Sequence, residues 1–492
     1  MFTELTTGAS IFLFFAIALA LAFEFVNGFH DTANAAATVI YTHALRPTAA
    51  VVWSGICNLI GVLLSSGAVA YGVLSLLPVE LILNVGSAAG FAMVFSLLLS
   101  AICWNLGTWY LGLPASSSHA LIGSMMGVGL ANAMLASGLA WTEGINWAKA
   151  SEVGVSLLIS PVLGFFGSAL FLLLMKRFIK SPGLYHDPPI DTPPPKAVRG
   201  LLILTCTGVS FAHGSNDGQK GMGLILLILI GILPGSFALN PSLPAGSIER
   251  IVVESHRAEE RLRTRPDAIS AAQPNSQKVL STFLRASGKV TTQTKPALNG
   301  VILQIRETLT GRHSTQDLNA SQRSALRAEV YLVTESIGKL DDKHQFADPG
   351  ERQALLAFKT QLDPMVHFIP IWIKFAVAIA LGLGTMIGWE RIVKTVGEKI
   401  GKGHLSYAQG AAAELVAAAT IGIADFAGMP VSTTHVLSSG VAGTMAANHS
   451  GLQAATLRNL LLAWVLTMPV CVFLGALLFA LGLNLIASLG LH

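Results

Sequence analysis

Charge is scarce: Asp, Glu, Lys and Arg make up 12% of the 492 residues, and only four residues are cysteine. Soluble domains carry about 25% charged residues, so one large water-soluble body is excluded. Cys57, Cys103, Cys206 and Cys471 all lie in apolar segments at no ligand-like spacing. That excludes a disulfide framework and a cysteine zinc site, and the four read as small buried hydrophobes. Met1 to Ser10 holds Glu4 and no Lys or Arg. A signal peptide opens on basic residues, so the first apolar run reads as a retained helix. The net charge of +4 points to no nucleic-acid partner, because the basic residues gather in a few loops and one polar stretch.

What the chain has instead is apolar length. Hydrophobic residues make up 52%, and runs long enough to cross a bilayer recur throughout, which marks an all-α polytopic membrane protein. The first run, residues 9–42, is interrupted at Asn27-Gly28-Phe29-His30, and glycine beside polar residues at that depth predicts a broken helix lining a cavity. Spans are expected over Thr48 to Leu77 and Phe91 to Leu111. After Leu113-Pro114-Ala115-Ser116-Ser117-Ser118-His119 a further piece runs to Leu135, and Glu152 to Phe178 follows. A linker with six prolines between Ser181 and Lys196 forbids helix and marks a boundary. The pattern then restarts: Gly200 to Pro234 is interrupted at His213 to Lys220. A polar stretch, 236–366, holds 17 of the 31 Lys and Arg and 14 of the 27 acids. Within it Leu326, Val330, Leu332, Val333, Ile337 and Leu340 recur at helical spacing, so a small soluble helical insert is expected. Apolar segments return over Phe368 to Trp389, Ala408 to Phe426, the piece from Met429-Pro430-Val431-Ser432-Thr433-Thr434-His435 to Met445, and Leu457 to Leu489.

Two halves of one design are visible. Gly28-x-His30-Asp31-x-x-Asn34 matches Gly214-x-Asn216-Asp217-x-x-Lys220, and Pro114-Ala115-Ser116-Ser117-Ser118-His119 matches Pro430-Val431-Ser432-Thr433-Thr434-His435. The implied organisation is repeat 1 over 1–180, a Pro-rich linker over 181–198, repeat 2 over 199–235 and 367–492, and the insert over 236–366. About five membrane segments per half, an odd number, predicts inverted repeats. With both termini outside the cytoplasm, Arg46, the Lys176 to Arg199 loop, the Arg391 to Lys402 loop and Arg458 all fall inside, as the positive-inside rule asks. The same count puts the insert outside.

The hydroxyl motifs carry the most specific chemistry. Proline ends one helix, three hydroxyl residues follow, and the next helix opens with unpaired amides at the positive end of its dipole. Ser116, Ser117, Ser118, Ser432, Thr433 and Thr434 with those amides would hold a tetrahedral oxyanion; the plainer alternative is that they only cap helices. An ionised Asp31 or Asp217 at mid-bilayer costs roughly 2.5 to 3.5 kcal/mol, so each needs a wet or paired place. Asp31 with Asn34 offers hard oxygen ligands for a co-transported cation or proton. Asp217 and Lys220 either neutralise one another or serve substrate. Glu414 lies deep enough for a relay, whereas Glu24 and Asp425, near helix ends, read as neutral or snorkelling groups. His30, His119, His213 and His435 border breaks and read as hydrogen-bond partners, so no metal site is assigned. An intramembrane metallohydrolase on His30, Asp31, His213 and His435 would want fixed Cys/His spacing or an HExxH pair, and neither is present. Hydroxyls and amides separate phosphate from sulfate poorly; an acceptor such as Asp31 or Asp217 facing the substrate favours a protonated anion.

These four motif copies, in this order, resemble the PiT family of inorganic phosphate transporters, and Asn105 to Gly123 and Gly403 to Gly443 read like its bacterial branch. The resemblance covers nearly all of the chain outside the insert. It implies no enzyme and no cofactor, but secondary transport of phosphate across the cytoplasmic (inner) membrane, driven by protons or sodium. For some members the cargo is a neutral complex of hydrogen phosphate with a divalent metal such as magnesium. The sequence itself leaves the oligomeric state open, a homodimer included. Carried over by position, Asn216 and Lys220 join the six hydroxyl residues around phosphate, and Asp31, Asn34, Asp217 and Glu414 serve the coupling ion. His30 and Lys220 stand where the family has Asn. A lysine there would neutralise phosphate or replace a bound cation, so the expectation leans to protons over sodium.

Overall fold

A chain in hydrocarbon must close its backbone hydrogen bonds within each segment, and in the computed structural model it does so as helix. Among the described residues the only β pairing is one isolated bridge, Gly401 to Leu452. The structure describes residues 7–31, 33–77, 81–82, 87–135, 140–189, 192–263 and 275–488, and for 31, 33 and 34 the backbone alone. In chain order the main helices are α1 (Thr7–Asp31), α2 (Ala33–Tyr41), α3 (Pro47–Leu64), α4 (Ala68–Leu74), α5 (Ala88–Tyr110), α6 (Ser117–Leu135), α7 (Trp147–Phe178) and α8 (Lys196–Ile232). The insert adds α9 (Ser247–Arg263), α10 (Ser276–Leu284), α11 (Thr294–Leu309), α12 (Ala320–Asp342) and α13 (Pro349–Val366); α14 (Ile371–Met386), α15 (Tyr407–Phe426), α16 (Thr433–Ala447) and α17 (Ala454–Ser488) complete the bundle. Among the described residues eight helical segments, α1 with α2 taken as one, are long and apolar enough to cross a membrane. The apolar α14, 16 residues long, meets α13 at a 69° bend. The chain is a multi-pass membrane protein, and the apolar side chains it turns outward, such as Leu158, Phe166, Val465 and Phe473 on α7 and α17, form the face that lipid covers.

The halves pack reciprocally: α1 lies on α14 as α8 lies on α3, and α7 lies on α16 as α17 lies on α6. Glycines set these approaches. A Cβ at Gly28 would come 2.2 Å from the Leu381 carbonyl oxygen, and one at the matching Gly214 would come 2.2 Å from that of Asn58. Gly127 against Val472 (2.0 Å) and Gly443 against Phe165 (2.1 Å) repeat the relation at the other pair of contacts.

Four details depart from the sequence reading. The expected interruption at His213 to Lys220 does not occur: α8 is one continuous helix of 37 residues, about 55 Å long. Gly214 lies where the Asn58 backbone presses close and Gly218 lies against the Val62 side chain, and neither breaks the helix. Likewise α1 continues through Asn27 to His30 as far as Asp31, and α2 begins at Ala33; Thr32 lies outside the described residues. The span expected over 48–77 ends at Leu64, where Ser65 is extended and Gly67 takes φ +92°, before the short α4. Three cysteines are buried, but Cys103 is exposed on α5 and faces outward.

The insert has its own core, in which all six residues of the periodic stretch in α12 are buried. It rests on one end of the bundle, where the His367 ring stacks at 4.2 Å on Tyr71 of α4 and the Ser287 N–H donates to Glu143 at 3.3 Å. At the opposite end Arg391 donates to the Tyr110 carbonyl at 2.8 Å.

Candidate functional site

The first turns of α6 and α16 come together near the middle of the bundle, with the rings of His119 and His435 4.6 Å apart and the Trp464 indole stacked on His435 at 4.2 Å. In each motif the first hydroxyl closes the helix end: Ser116 accepts from the His119 N–H and Ser432 from the His435 N–H, both at 3.2 Å. For these two the capping alternative describes the geometry. The next two are turned to the centre. Ser117 donates to Asn27 on α1 at 2.7 Å. Ser118 donates to the Val431 carbonyl of the other motif at 2.8 Å and accepts from the Lys220 ammonium. The Thr433 hydroxyl oxygen is buried with no hydrogen-bond partner, and Thr434 is fully buried beside it.

Lys220 and Asp217 form an ion pair at 2.8 Å, one turn apart on α8, with side chains 1% and 0% exposed. Of the two roles open to this pair, mutual neutralisation is what the geometry displays. Desolvating such a pair is costly and breaking it costlier still, because the remaining charge is stranded. Asp217 also lies 3.6 Å from the His213 ring, whose other nitrogen meets Asn58 at 2.9 Å. Asn216 turns its amide to the Met429 carbonyl at 3.1 Å, tying α8 to the second motif. The side chains of Asp31 and Asn34 lie outside the described residues; their backbone ends α1 and begins α2.

Glu414 is elsewhere. Fully buried on α15, it accepts from Thr205 of α8 at 2.5 Å and from Thr38 of α2. Thr205 precedes Asp217 by 12 residues on one helix, about 18 Å along its axis.

Several residues escaped the sequence reading. Glu24, expected near a helix end, is fully buried mid-helix, and its Oε2 accepts from Asn27 at 3.4 Å. A signal was present: Glu24, Asn27 and Asp31 stand at i, i+3 and i+7, one face of α1. Asp425 accepts at one oxygen from Ser215 and at the other from Gln219, both at 2.6 Å. The Gln219 oxygen accepts from the Val69 N–H at 2.9 Å, which fixes the amide orientation so that its NH2 faces the acid. Among the described residues no group of three or more His, Cys, Asp and Glu side chains is arranged to hold a metal ion.

Sequence and structure comparisons join this geometry to known proteins. Residues 27–475 match the phosphate transporter family. The chain is 41% identical to the low-affinity inorganic phosphate transporter PitA of Escherichia coli K12, over 98% of this chain and 99% of that one. It is also 41% identical to PitB of the same organism, over 99% of each. A solved structure of a sodium-dependent phosphate transporter, 19% identical, covers 97% of this chain and 100% of its own with a TM-score of 0.52, a likeness of fold. Proteins of this kind are transporters and not enzymes, so the hydrolase alternative falls; the chain belongs to the phosphate transporter family.

Proposed function

We propose that this protein is a secondary symporter that carries inorganic phosphate, as a hydrogen phosphate complex with a divalent metal such as magnesium, into the cell with protons. The observation that carries the reading is the meeting of Lys220 with Ser118 where the two hydroxyl motifs converge. A cation, inward hydroxyls and two helix N-termini at one buried point suit a tetrahedral oxyanion. Ser117, Ser118, Thr433, Thr434, Asn216 and Lys220 bind it, with Ser116 and Ser432 holding the helix ends that present the amides. Asp31, Asn34, Asp217 and Glu414 serve the coupling ion. Because Lys220 already fills the space beside Asp217 with positive charge, a proton fits the remaining carboxylates better than a second bound cation does.

The reciprocal packing supports two inverted repeats that rock about the central site in the inner membrane. The basic residues at the end remote from the insert face the cytoplasm, with both termini and the insert outside. The testing experiment is labelled phosphate uptake into proteoliposomes under an imposed proton or sodium gradient, each with and without magnesium. Uptake that follows the proton gradient and requires magnesium is expected; uptake that follows sodium alone overturns the coupling. A tag near Asn319 should be labelled in intact cells, and labelling only after permeabilisation would reverse the orientation.

A further inference from the structure

We infer that Glu24 is the group that takes up and releases the transported proton, an inference that rests on the proton coupling proposed above. Glu24 is fully buried on α1, and its side chain lies against the α8 backbone beside Lys220: a Cβ at Gly221 would come 2.3 Å from its Cγ and 2.6 Å from its Cδ. Glycine at 221 is what admits the carboxyl. Its oxygens have the long contact from Asn27 at 3.4 Å, and beyond that only the Gly221 N–H and the Lys220 ammonium, shared with Asp217, reach the carboxyl. A permanently ionised carboxylate would be poorly served there.

Charge counting makes the same point. Asp217 and Glu24 are two carboxylates, and Lys220 is one ammonium already engaged by Asp217 and Ser118. With Glu24 ionised the three carry net negative charge in a dry interior, and one proton on Glu24 Oε1 brings them to neutrality. Among the described residues nothing else packed on α1 supplies that charge. Lys374 of α14 is turned to the Ser65 carbonyl at 2.7 Å, α5 contributes Cys103 facing outward and Tyr110 at its far end, and α6 contributes His119, stacked on His435. On α1 itself, His30 bonds Thr108 at 3.1 Å, and the Asp31 side chain is outside the described residues. His213 faces Asp217.

Glu24 is also wired to the anion motif. Ser117 donates to Asn27 Oδ1, and the same amide's NH2 reaches Glu24. An anion that claims the Ser117 hydroxyl removes the bond that holds the amide, so substrate and proton sense one another through Asn27. In the cycle hydronium on one side of the membrane gives a proton to Glu24 Oε1 and is left as water, and on the other side the Oε1–H bond breaks as the proton returns to water as hydronium. The equivalent position in the second half, with Gly28 matched to Gly214, is Ser210, which bonds Ser54 at 2.7 Å; the carboxyl is single.

The test uses the full chain in proteoliposomes, comparing wild type, Glu24→Gln and Glu24→Asp. Two readouts are taken: labelled phosphate exchange with equal phosphate and pH on both sides, and accumulation under a pH gradient of about one unit, which supports about tenfold accumulation per coupled proton. Glu24→Gln should keep exchange and lose accumulation, its ratio falling to about one. Wild type that accumulates with sodium and not with protons sinks the coupling and this inference together. Wild type and Glu24→Gln that accumulate alike sink this inference alone. If Glu24→Gln does neither, Glu24→Asp decides: accumulation with a displaced pH midpoint supports the assignment, whereas an unchanged midpoint or no transport overturns it.

Discussion

The two halves share a backbone plan and differ in chemistry. Matching Gly28 to Gly214 and Pro114 to Pro430 gives every central residue a counterpart. Where the second half pairs Ser215 with Asp425 at 2.6 Å, the first packs Phe29 against Trp109 with ring centres 5.1 Å apart and planes tilted by 55°. Where Glu414 sits between Thr38 and Thr205, the matching positions are Leu98, Leu224 and Leu19, all part of the apolar core. Where the second half has Lys220, the first has Asn34. Helix contacts set by glycine and carbonyl are duplicated, as are Asp31 with Asp217 and His119 with His435, whereas Glu24, Lys220, Glu414 and Asp425 are not. Duplication suits a scaffold that must present its site to both sides in turn, and single copies suit groups that each carry one charge.

The largest expected effect comes from erasing the Lys220 difference. Lys220→Asn copies the first half's residue into the second and leaves Asp217 without its cation, so stability should fall by about 3–5 kcal/mol and uptake should vanish. Thermal unfolding in detergent reads the first and proteoliposome uptake the second. An unchanged unfolding temperature would show that the pair is not needed to hold α8 in place.

Next is Glu414→Leu, which imports the apolar chemistry of Leu98. Thr38 and Thr205 each have a carbonyl of their own helix within reach, at 3.2 and 3.0 Å, so the orphaned hydroxyls cost at most about 1 kcal/mol. Transport should nevertheless be lost, as the coupling role proposed for Glu414 requires. A folded variant with full uptake would reduce Glu414 to a packing residue.

A smaller effect separates capping from binding within each motif. Ser116→Ala and Ser432→Ala should cost about 1 kcal/mol each in stability, alike in both halves. Thr433→Ala should cost no stability, since its hydroxyl has no partner, yet raise the half-saturating phosphate concentration about fivefold, the worth of one hydrogen bond. Equal behaviour of all three would erase the distinction.

Much of this was legible in the sequence because it rests on spacing. The hydroxyl motifs, the i, i+3 relation of Asp217 to Lys220 and the helical period of α12 are local patterns, and local patterns survive folding. The continuity of α8 was not legible: glycines among polar residues look the same whether a helix breaks there or is crowded there, and only the position of Asn58 on α3 decides between them. The burial of Glu24 is hidden for a related reason: a break at Asn27 would put it near a helix end, and once α1 runs on to Asp31 the residue moves to mid-helix. Pairings across the bundle, such as Asp425 with Gln219, have no short-range signature at all.

The smallest effect concerns the largest difference between the halves, the insert, which only the second carries. Inside it, Glu329 on α12 is pushed up from 4.5 to about 7 by burial, against the opposing hydrogen bond from Gln277, which donates to it at 3.2 Å. A raised carboxyl binds its proton more tightly folded than unfolded, so between pH 4.5 and about 7 the folded insert holds the extra proton. Its stability is therefore full below pH 4.5 and declines as pH rises through 7. Hydrogen exchange of the insert amides in the full chain, corrected for intrinsic rates, should show less protection at pH 7.5 than at pH 5. In Glu329→Gln, which keeps a partner for Gln277 and has nothing to titrate at that position, the loss of protection over that interval should be smaller, with Glu335, also raised by burial, left to respond. Equal protection at both pH values in the wild type would remove Glu329 as the source of any pH response. A response confined to the insert, with α1 and α8 unmoved, would show that this body answers to pH separately from the carboxylates at the centre of the bundle.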